Sequence, residues 1–297
     1  MIVFKRDGTM ITLKEKIGSG GEGSIYRSTE GCVKIYHKPS TASENLPKIV
    51  RLQSLYWQHE PNPEYRNLFK YVLVPRHILL DRLGRFVGFI MPCLPQTDNM
   101  VLISYLDYDG MKLGVFPWDL KTRAQIVYSI VRYTVMLNKI GILPIDLNDQ
   151  NIFIHTGKTG VQVYFIDTDS YQVERIPARV IAGDIAPPEF FGGIHLADEK
   201  SMVYVLAVIV HRIIMDGFSP FQFVRRKDIS PFDIKRKGYS PLRYSELKPP
   251  KGYPDMGRLG PLKEIIARAI DPLPENRPGL DMFYAFVEKW KHAVENL

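Results

Sequence analysis

The sequence predicts an α+β chain, with strands gathered toward the N-terminus and helices after them. Three observations carry this. A glycine-rich turn at 17–25 runs on into β-favouring residues, a short apolar run follows at 32–36, and beyond residue 120 apolar residues recur at helical spacing. A chain of 297 residues is long enough for two lobes sharing one cleft, and 45% hydrophobic content is ordinary for a globular protein. The expected division is 1–92 and 93–297, together one functional domain.

Ile17-Gly-Ser-Gly-Gly-Glu-Gly-Ser-Ile25 carries G-x-G-x-x-G at Gly18, Gly20 and Gly23. The pattern alone is weak, because 22 of the 297 residues are glycine. A dinucleotide fingerprint would open a helix at its third glycine. Here Ser24-Ile25-Tyr26-Arg27 continues in strand-forming residues, which predicts a strand–turn–strand hairpin. Glycines at such a tip let backbone N–H groups approach phosphate oxygens with no Cβ in the way.

Cys32-Val-Lys-Ile-Tyr36 is an apolar strand interrupted by Lys34. A cation on a buried strand is costly unless it has anionic partners, and phosphates are obvious candidates. The competing reading is an edge-strand lysine in solvent. Asn45 is expected to cap a helix over Leu46–His59, with Pro47 in its first turn. Leu46, Ile49, Val50, Leu52, Leu55 and Tyr56 form its apolar face. Val87-Gly-Phe-Ile-Met-Pro92 reads as a strand ended by proline. Helices are expected at Leu120–Ile140, closed by Gly141, and at Ser201–Met215, closed by Gly217. Arg258–Ile270 and Leu280–Leu297 complete the set.

Two motifs carry the chemistry. Pro144-Ile-Asp-Leu-Asn-Asp-Gln-Asn151 sets Asp146 five residues before Asn151, and Phe165-Ile-Asp-Thr-Asp169 adds Asp167 sixteen residues later. A base, a metal-holding amide and a metal-holding carboxylate at this spacing are what transfer of a nucleotide γ-phosphoryl group requires. Asp169 reads either as a further metal ligand or as a solvent-facing acid.

With glycine loop, strand lysine and both acidic motifs in order, the chain resembles the eukaryotic-like protein kinase superfamily over nearly its whole length. Asp167-Thr-Asp-Ser-Tyr-Gln172 looks most like a divergent group of bacterial serine/threonine kinases. The resemblance implies a bilobal fold, a β-rich N-lobe and a mostly helical C-lobe, with ATP and Mg2+ (or Mn2+) as cofactors. It implies Asp146 as catalytic base, Lys34 on the α/β-phosphates, and Asn151, Asp167 and Asp169 near the metal. Ile17, Gly18, Ser19, Gly20, Gly21, Glu22, Gly23 and Ile25 would cover the nucleotide, and a hinge from Met91 to Cys93 would meet the adenine. Ala186-Pro-Pro-Glu189 resembles the end of an activation segment. Asp271-Pro-Leu-Pro-Glu-Asn-Arg-Pro278 resembles the late arginine motif, which implies a buried Glu189–Arg277 pair. The helix glutamate that pairs with the lysine falls to Glu44 or Glu60, with Glu44 preferred on the alternative that the helix starts earlier, near Ser40, which sets it at one-turn spacing with Lys48 and Leu52.

The departures matter equally. Pro144-Ile145 replaces the usual His-Arg, Asn148 stands where most members carry a lysine, and Asp169 replaces a glycine. Ile145 leaves no arginine to receive a loop phosphate, so activity independent of loop phosphorylation is expected. A Ser/Thr protein kinase is the favoured reading. A nucleotide-binding scaffold with little turnover and a small-molecule kinase of the aminoglycoside or choline type are the alternatives.

The formal net charge is +7. Much of the excess lies in 225–263, with Arg225, Arg226, Lys227, Lys235, Arg236, Lys237, Arg243, Lys248, Lys251 and Arg258. A solvated loop is the first reading there, an acidic protein partner the second, and nucleic acid the last. Met202–Val210 is too short to span a membrane, and the N-terminus lacks the pattern of a signal peptide. Only Cys32 and Cys93 occur, both read as apolar fillers, which points to a reducing, cytoplasmic setting.

Overall fold

The computed structural model describes residues 1–95, 99–106, 119–157, 160–179, 181–193, 196–224 and 228–296. It is a mixed α+β chain with two compact units, Met1–Thr97 joined by Tyr164–Asp169, and Asp98–Val163 joined by Ser170–Leu297.

The first unit is built on an antiparallel sheet of seven strands: β1 (Ile2–Phe4), β2 (Met10–Thr12), β3 (Lys16–Ser19), β4 (Gly23–Arg27), β5 (Cys32–Tyr36), β6 (His77–Leu80) and β7 (Phe86–Met91). Their spatial order is β2-β1-β6-β7-β5-β4-β3. The glycine run is the β3–β4 turn, with Ser19 opposite Ser24 and the Gly20 N–H donating to the Gly23 carbonyl at 2.9 Å. Gly23 is needed by the sheet itself, since a Cβ there would lie 2.7 Å from the Ile35 carbonyl oxygen on β5. Alternation along β5 places Val33 and Ile35 in a core with Val3, Ile11, Leu13, Leu79 and Ile90. It turns Cys32, Lys34 and Tyr36 to the opposite face.

The helix beside this sheet is Pro39–His59, which corrects the expected start at Leu46 in favour of the earlier start near Ser40. Pro39, with its fixed φ, opens the first turn. Lys38 flanks it without a side-chain cap, and Asn45 is buried in the helix interior instead of capping it. Pro47 therefore lies inside the helix, where its missing N–H removes a backbone bond. Burial of Ala42, Ile49, Leu52, Leu55 and Tyr56 offsets that loss. A second helix, Pro63–Leu68, was not predicted; Asn62 caps it by accepting the Glu64 N–H at 2.9 Å.

The cysteines also differ from expectation. Cys32 and Cys93 form a disulfide, with Cα atoms 5.0 Å apart. The β5–β7 register sets Cys32 opposite Met91, so the chain leaving β7 returns Cys93 to its side. Neither residue is a free apolar filler, and the argument from thiols to a reducing compartment loses its basis.

In the second unit, Leu120–Lys139 is capped by Asp119, which accepts the Thr122 N–H at 2.8 Å, and the chain turns at Gly141, φ 79°. Glu199–Ile214 is capped by Asp198 and is buried along nearly all of its length. The helix expected at Arg258–Ile270 is divided into a 3-10 turn at Met256–Leu259 and a helix at Leu262–Ala269. Gly260, at φ 49°, and Pro261 interrupt it. Leu280–Glu295 packs Phe283, Val287 and Trp290 into the helical core. A short helix, Pro231–Arg236, follows Ser230 inside the stretch read as loop. Among the described residues no helix is long and apolar enough to cross a membrane.

Candidate active site

Within the first unit, Lys34 is nearly inaccessible, and its ammonium donates to Asp167 at 2.7 Å and to both oxygens of Asp169 at 2.9 and 2.7 Å. Tyr36, two residues along the same face of β5, donates its hydroxyl to Asp169 at 2.8 Å. The acids reach this unit because Phe165 joins it through backbone bonds, its N–H to the Tyr71 carbonyl and its carbonyl to the Leu73 N–H. The Thr168 hydroxyl also donates to the Leu73 carbonyl, at 3.1 Å. Asp167 holds a left-handed φ of 54°, a conformation that aspartate tolerates better than most residues.

Burial alone would lower the Lys34 ammonium pKa, but the facing Asp169 and Asp167 charges reverse that and hold it above its ordinary value. Burial also opposes ionisation of Asp169, yet Lys34 and the Tyr36 hydroxyl prevail and keep its pKa low. Asp167 is raised, by burial first and then by the Asp169 charge. One cation thus faces two carboxylates. The Asp169 side chain is 2% exposed and the Asp167 side chain 41%, so the negative charge in excess sits on the accessible member.

This corrects the expected lysine partner. Glu44 is exposed on the helix at Pro39–His59, while Lys34 bonds to Asp167 and Asp169. The signal in the sequence was the shortage of acids along that helix together with the repeated acid of Asp167-Thr-Asp169.

In the second unit, the motif around Asp146 is a compact turn. Asn148 and Asn151 donate their side-chain amides to the Asp146 carbonyl, at 3.0 and 3.3 Å, and the Ala182 N–H donates to the Asp146 carboxylate at 3.0 Å. Asn148 also accepts the Gln150 N–H at 2.9 Å, so both ends of its amide serve the turn. Asp149 is buried and pairs with Arg212 at 2.5 Å; Arg212 also reaches Asp184 at 3.0 Å. Sequence reasoning missed this bridge.

Glu189 and Arg277 form a two-pronged pair at 2.7 and 2.8 Å. The remaining Arg277 donors reach the Asp271, Pro272 and Lys200 carbonyls, and its guanidinium lies 4.9 Å from the centre of the Tyr204 ring.

The other predicted residues lie as follows. Gly18 pairs with Ile25 across the hairpin, and Ile17, Gly20, Gly21 and Glu22 are exposed at or beside its turn. A Cβ at Gly20 or Gly21 would meet nothing within 4 Å. Met91 ends β7, and Cys93 is held by its disulfide. Of the basic stretch, Arg225, Arg226 and Lys227 lie outside the described residues. Lys237, Arg243 and Arg258 pair with Asp233, Asp271 and Asp216. Lys235 donates to the Gly183 and Asp184 carbonyls, and its burial lowers the ammonium pKa to about 8.

Among the described residues there is no group of three His, Cys, Asp or Glu side chains that could hold a metal. Mg2+ does not need one, because it commonly takes one or two carboxylates and completes its shell with water and phosphate oxygens. Asp167 is a hard oxygen donor, partly exposed, in a cluster with surplus negative charge. That donor chemistry fits Mg2+.

No protein-family profile matches the chain. It is similar to "Protein kinase YegI" of Escherichia coli strain K12, at 25% identity over 235 residues, which cover 75% of this chain and 34% of that protein. The protein of that name from Escherichia coli O157:H7 is 24% identical over 236 residues, with the same coverage. The chain spans about a third of the length of the curated relatives it matches. The likeness is distant and its character is kinase-like.

Proposed function

We propose that the chain is an ATP-dependent protein kinase that transfers the γ-phosphoryl group to a Ser or Thr hydroxyl of a protein. The observation that carries the reading is the buried Lys34 ammonium bonded to Asp167, 133 residues away, on the strand that follows the glycine hairpin. The distant likeness to proteins named as protein kinases supports it.

Lys34 would bind the α/β-phosphates. The exposed turn at Gly20 and Gly21 would let phosphate oxygens approach the backbone, with the Gly21 N–H as donor, because the Gly20 N–H is spent on the Gly23 carbonyl. Asp167 would hold Mg2+, which neutralises charge developing on the transferred group. Asp146 would orient the acceptor hydroxyl and take its proton, with its carboxylate held by the Ala182 N–H. Asp146→Ala is expected to keep nucleotide binding and to lower transfer by roughly a hundred- to ten-thousandfold. The check is labelled ATP with Mg2+ and generic protein acceptors, and undiminished transfer in Asp146→Ala removes that residue from the mechanism.

One observation favours a second reading, a nucleotide-binding scaffold with little turnover. The neutral Asn148 amide stands where the resemblance expects a cation, and it is occupied at both ends within its own turn. ATP binding in the wild type with no transfer to any acceptor would select this reading.

A further inference from the structure

We propose that Asp169 is the positioning residue for Lys34 and is not a metal ligand. The inference rests on the nucleotide-binding reading above and deepens it.

Three features separate Asp169 from Asp167. Asp169 is fully enclosed, whereas Asp167 is partly open. Asp169 uses both carboxylate oxygens on Lys34 and receives the Tyr36 hydroxyl as well, so three short bonds fix it. Asp167 spends one oxygen on the lysine. A metal ligand must present an oxygen toward an ion that keeps several waters. A buried carboxylate committed to an ammonium and a phenol is poorly placed to do so. It is well placed to hold an ammonium at a fixed point, because charge-assisted bonds of this kind are strong and directional.

The consequence concerns assembly of the site. Lys34 and Tyr36 lie on β5, and Asp169 follows Asp167 on one short segment. The lysine anchor and the metal acid are therefore set together when residues 164–169 join this unit. Glu44 on the helix is not part of that arrangement, so the position of the helix does not decide whether Lys34 is aimed.

The test is a set of titrations of the full chain with ATP, run across Mg2+ concentrations. Lys34→Ala is expected to weaken ATP binding about tenfold or more. Asp169→Asn keeps the shape but loses the charge; it is expected to weaken ATP binding severalfold while the Mg2+ concentration at half effect stays unchanged. In the Lys34→Ala background the same substitution is expected to add less than twofold, because its target is gone. Glu44→Gln is expected to leave ATP affinity within twofold. Asp169→Glu is expected to recover part of the loss. Where Asp169→Asn fails to fold, Tyr36→Phe removes one of the bonds that fix the carboxylate, with the same predicted loss of affinity at unchanged Mg2+ dependence.

A rise in the Mg2+ requirement for Asp169→Asn, or for Tyr36→Phe, overturns the proposal, as does a full additional loss on top of Lys34→Ala. A severalfold loss in Glu44→Gln overturns it too. Lys34→Ala with wild-type ATP affinity sinks the nucleotide reading itself. An effect in Lys34→Ala with none in Asp169→Asn leaves that reading standing and removes only the anchor.

Discussion

Two buried ion clusters, one in each unit, are built on opposite plans. Arg277 spends its donors on one acid and three backbone carbonyls, so one cation meets one carboxylate and every bond is closed within the protein. Lys34 is a single cation shared by two carboxylates, one of them partly open. The closed cluster can only hold its unit together. The unbalanced one keeps negative charge in reserve, and an added cation would relieve it. Saturation is thus a better guide to role than burial, since both cations are buried.

The largest expected effect breaks the closed cluster. Arg277→Ala leaves Glu189 without its cation, bonded to the Ser201 hydroxyl, and strips the Tyr204 ring of its guanidinium. It is expected to cost about 3–5 kcal/mol of stability, read from denaturant unfolding. Arg277→Lys should recover little, because a lysine cannot reproduce the two-pronged geometry.

A smaller effect sharpens the comparison through a buried group with no charge at all. His211 lies in the interior, with Nδ1 against the Phe218 carbonyl and Nε2 against the Tyr253 hydroxyl, so Nδ1 carries the proton in the neutral ring. Burial lowers its pKa to about 4. Well above pH ~6.5 the ring is neutral in both the folded and the unfolded chain, and contributes nothing to pH dependence. As the pH falls below that value the unfolded chain gains a proton that the folded chain refuses. Stability should fall by about 2 kcal/mol by pH 5 and about 3 kcal/mol by pH 4 from this group alone. The check is the unfolding free energy at pH 7 and pH 5, where His211→Gln should show a shallower slope than the wild type.

The smallest effect concerns the hairpin. Because a side chain at Gly20 meets open space, Gly20→Val should leave stability almost unchanged. Any loss of ATP affinity then reports on the ligand. A tenfold weaker dissociation constant is expected, equivalent to about 1.4 kcal/mol. Gly23 is the contrast, since substitution there collides with Ile35 and should cost stability with or without nucleotide.

Local patterns in the sequence were readable. The hairpin showed in glycines followed by β-favouring residues, and the helix at Leu120–Lys139 showed in its apolar period and Gly141. Features set by distant strand register were not. The Cys32–Cys93 bond follows from the pairing of β5 with β7, which no local pattern encodes. The same holds for Lys34 and Asp169, 135 residues apart. Of the two starts the sequence offers for the helix at Pro39–His59, the one at Leu46 fails because Pro47 looks like a first-turn proline and burial overrides that cue, while the earlier one near Ser40 agrees with the structure. The short helices at Pro63–Leu68 and Pro231–Arg236 are barely two turns each, too brief for periodicity to register.

The loop hydroxyls bear on control. Thr168 and Tyr171 are buried, and Thr168 donates to a backbone carbonyl. A phosphate at Thr168 would have to break that bond and sit between Asp167 and Asp169. Like charges there oppose it.

The most direct measurement of the central claim is made on Asp167→Asn, comparing its unfolding free energy and its Mg2+-dependent ATP affinity with those of the wild type. Removing one of two acids that face a single lysine relieves repulsion, so stability should be equal or higher while the gain in ATP affinity on adding Mg2+ disappears. Loss of stability with Mg2+-dependent binding intact would mean that the Lys34 cluster is scaffold like the Arg277 cluster, and would contradict the account.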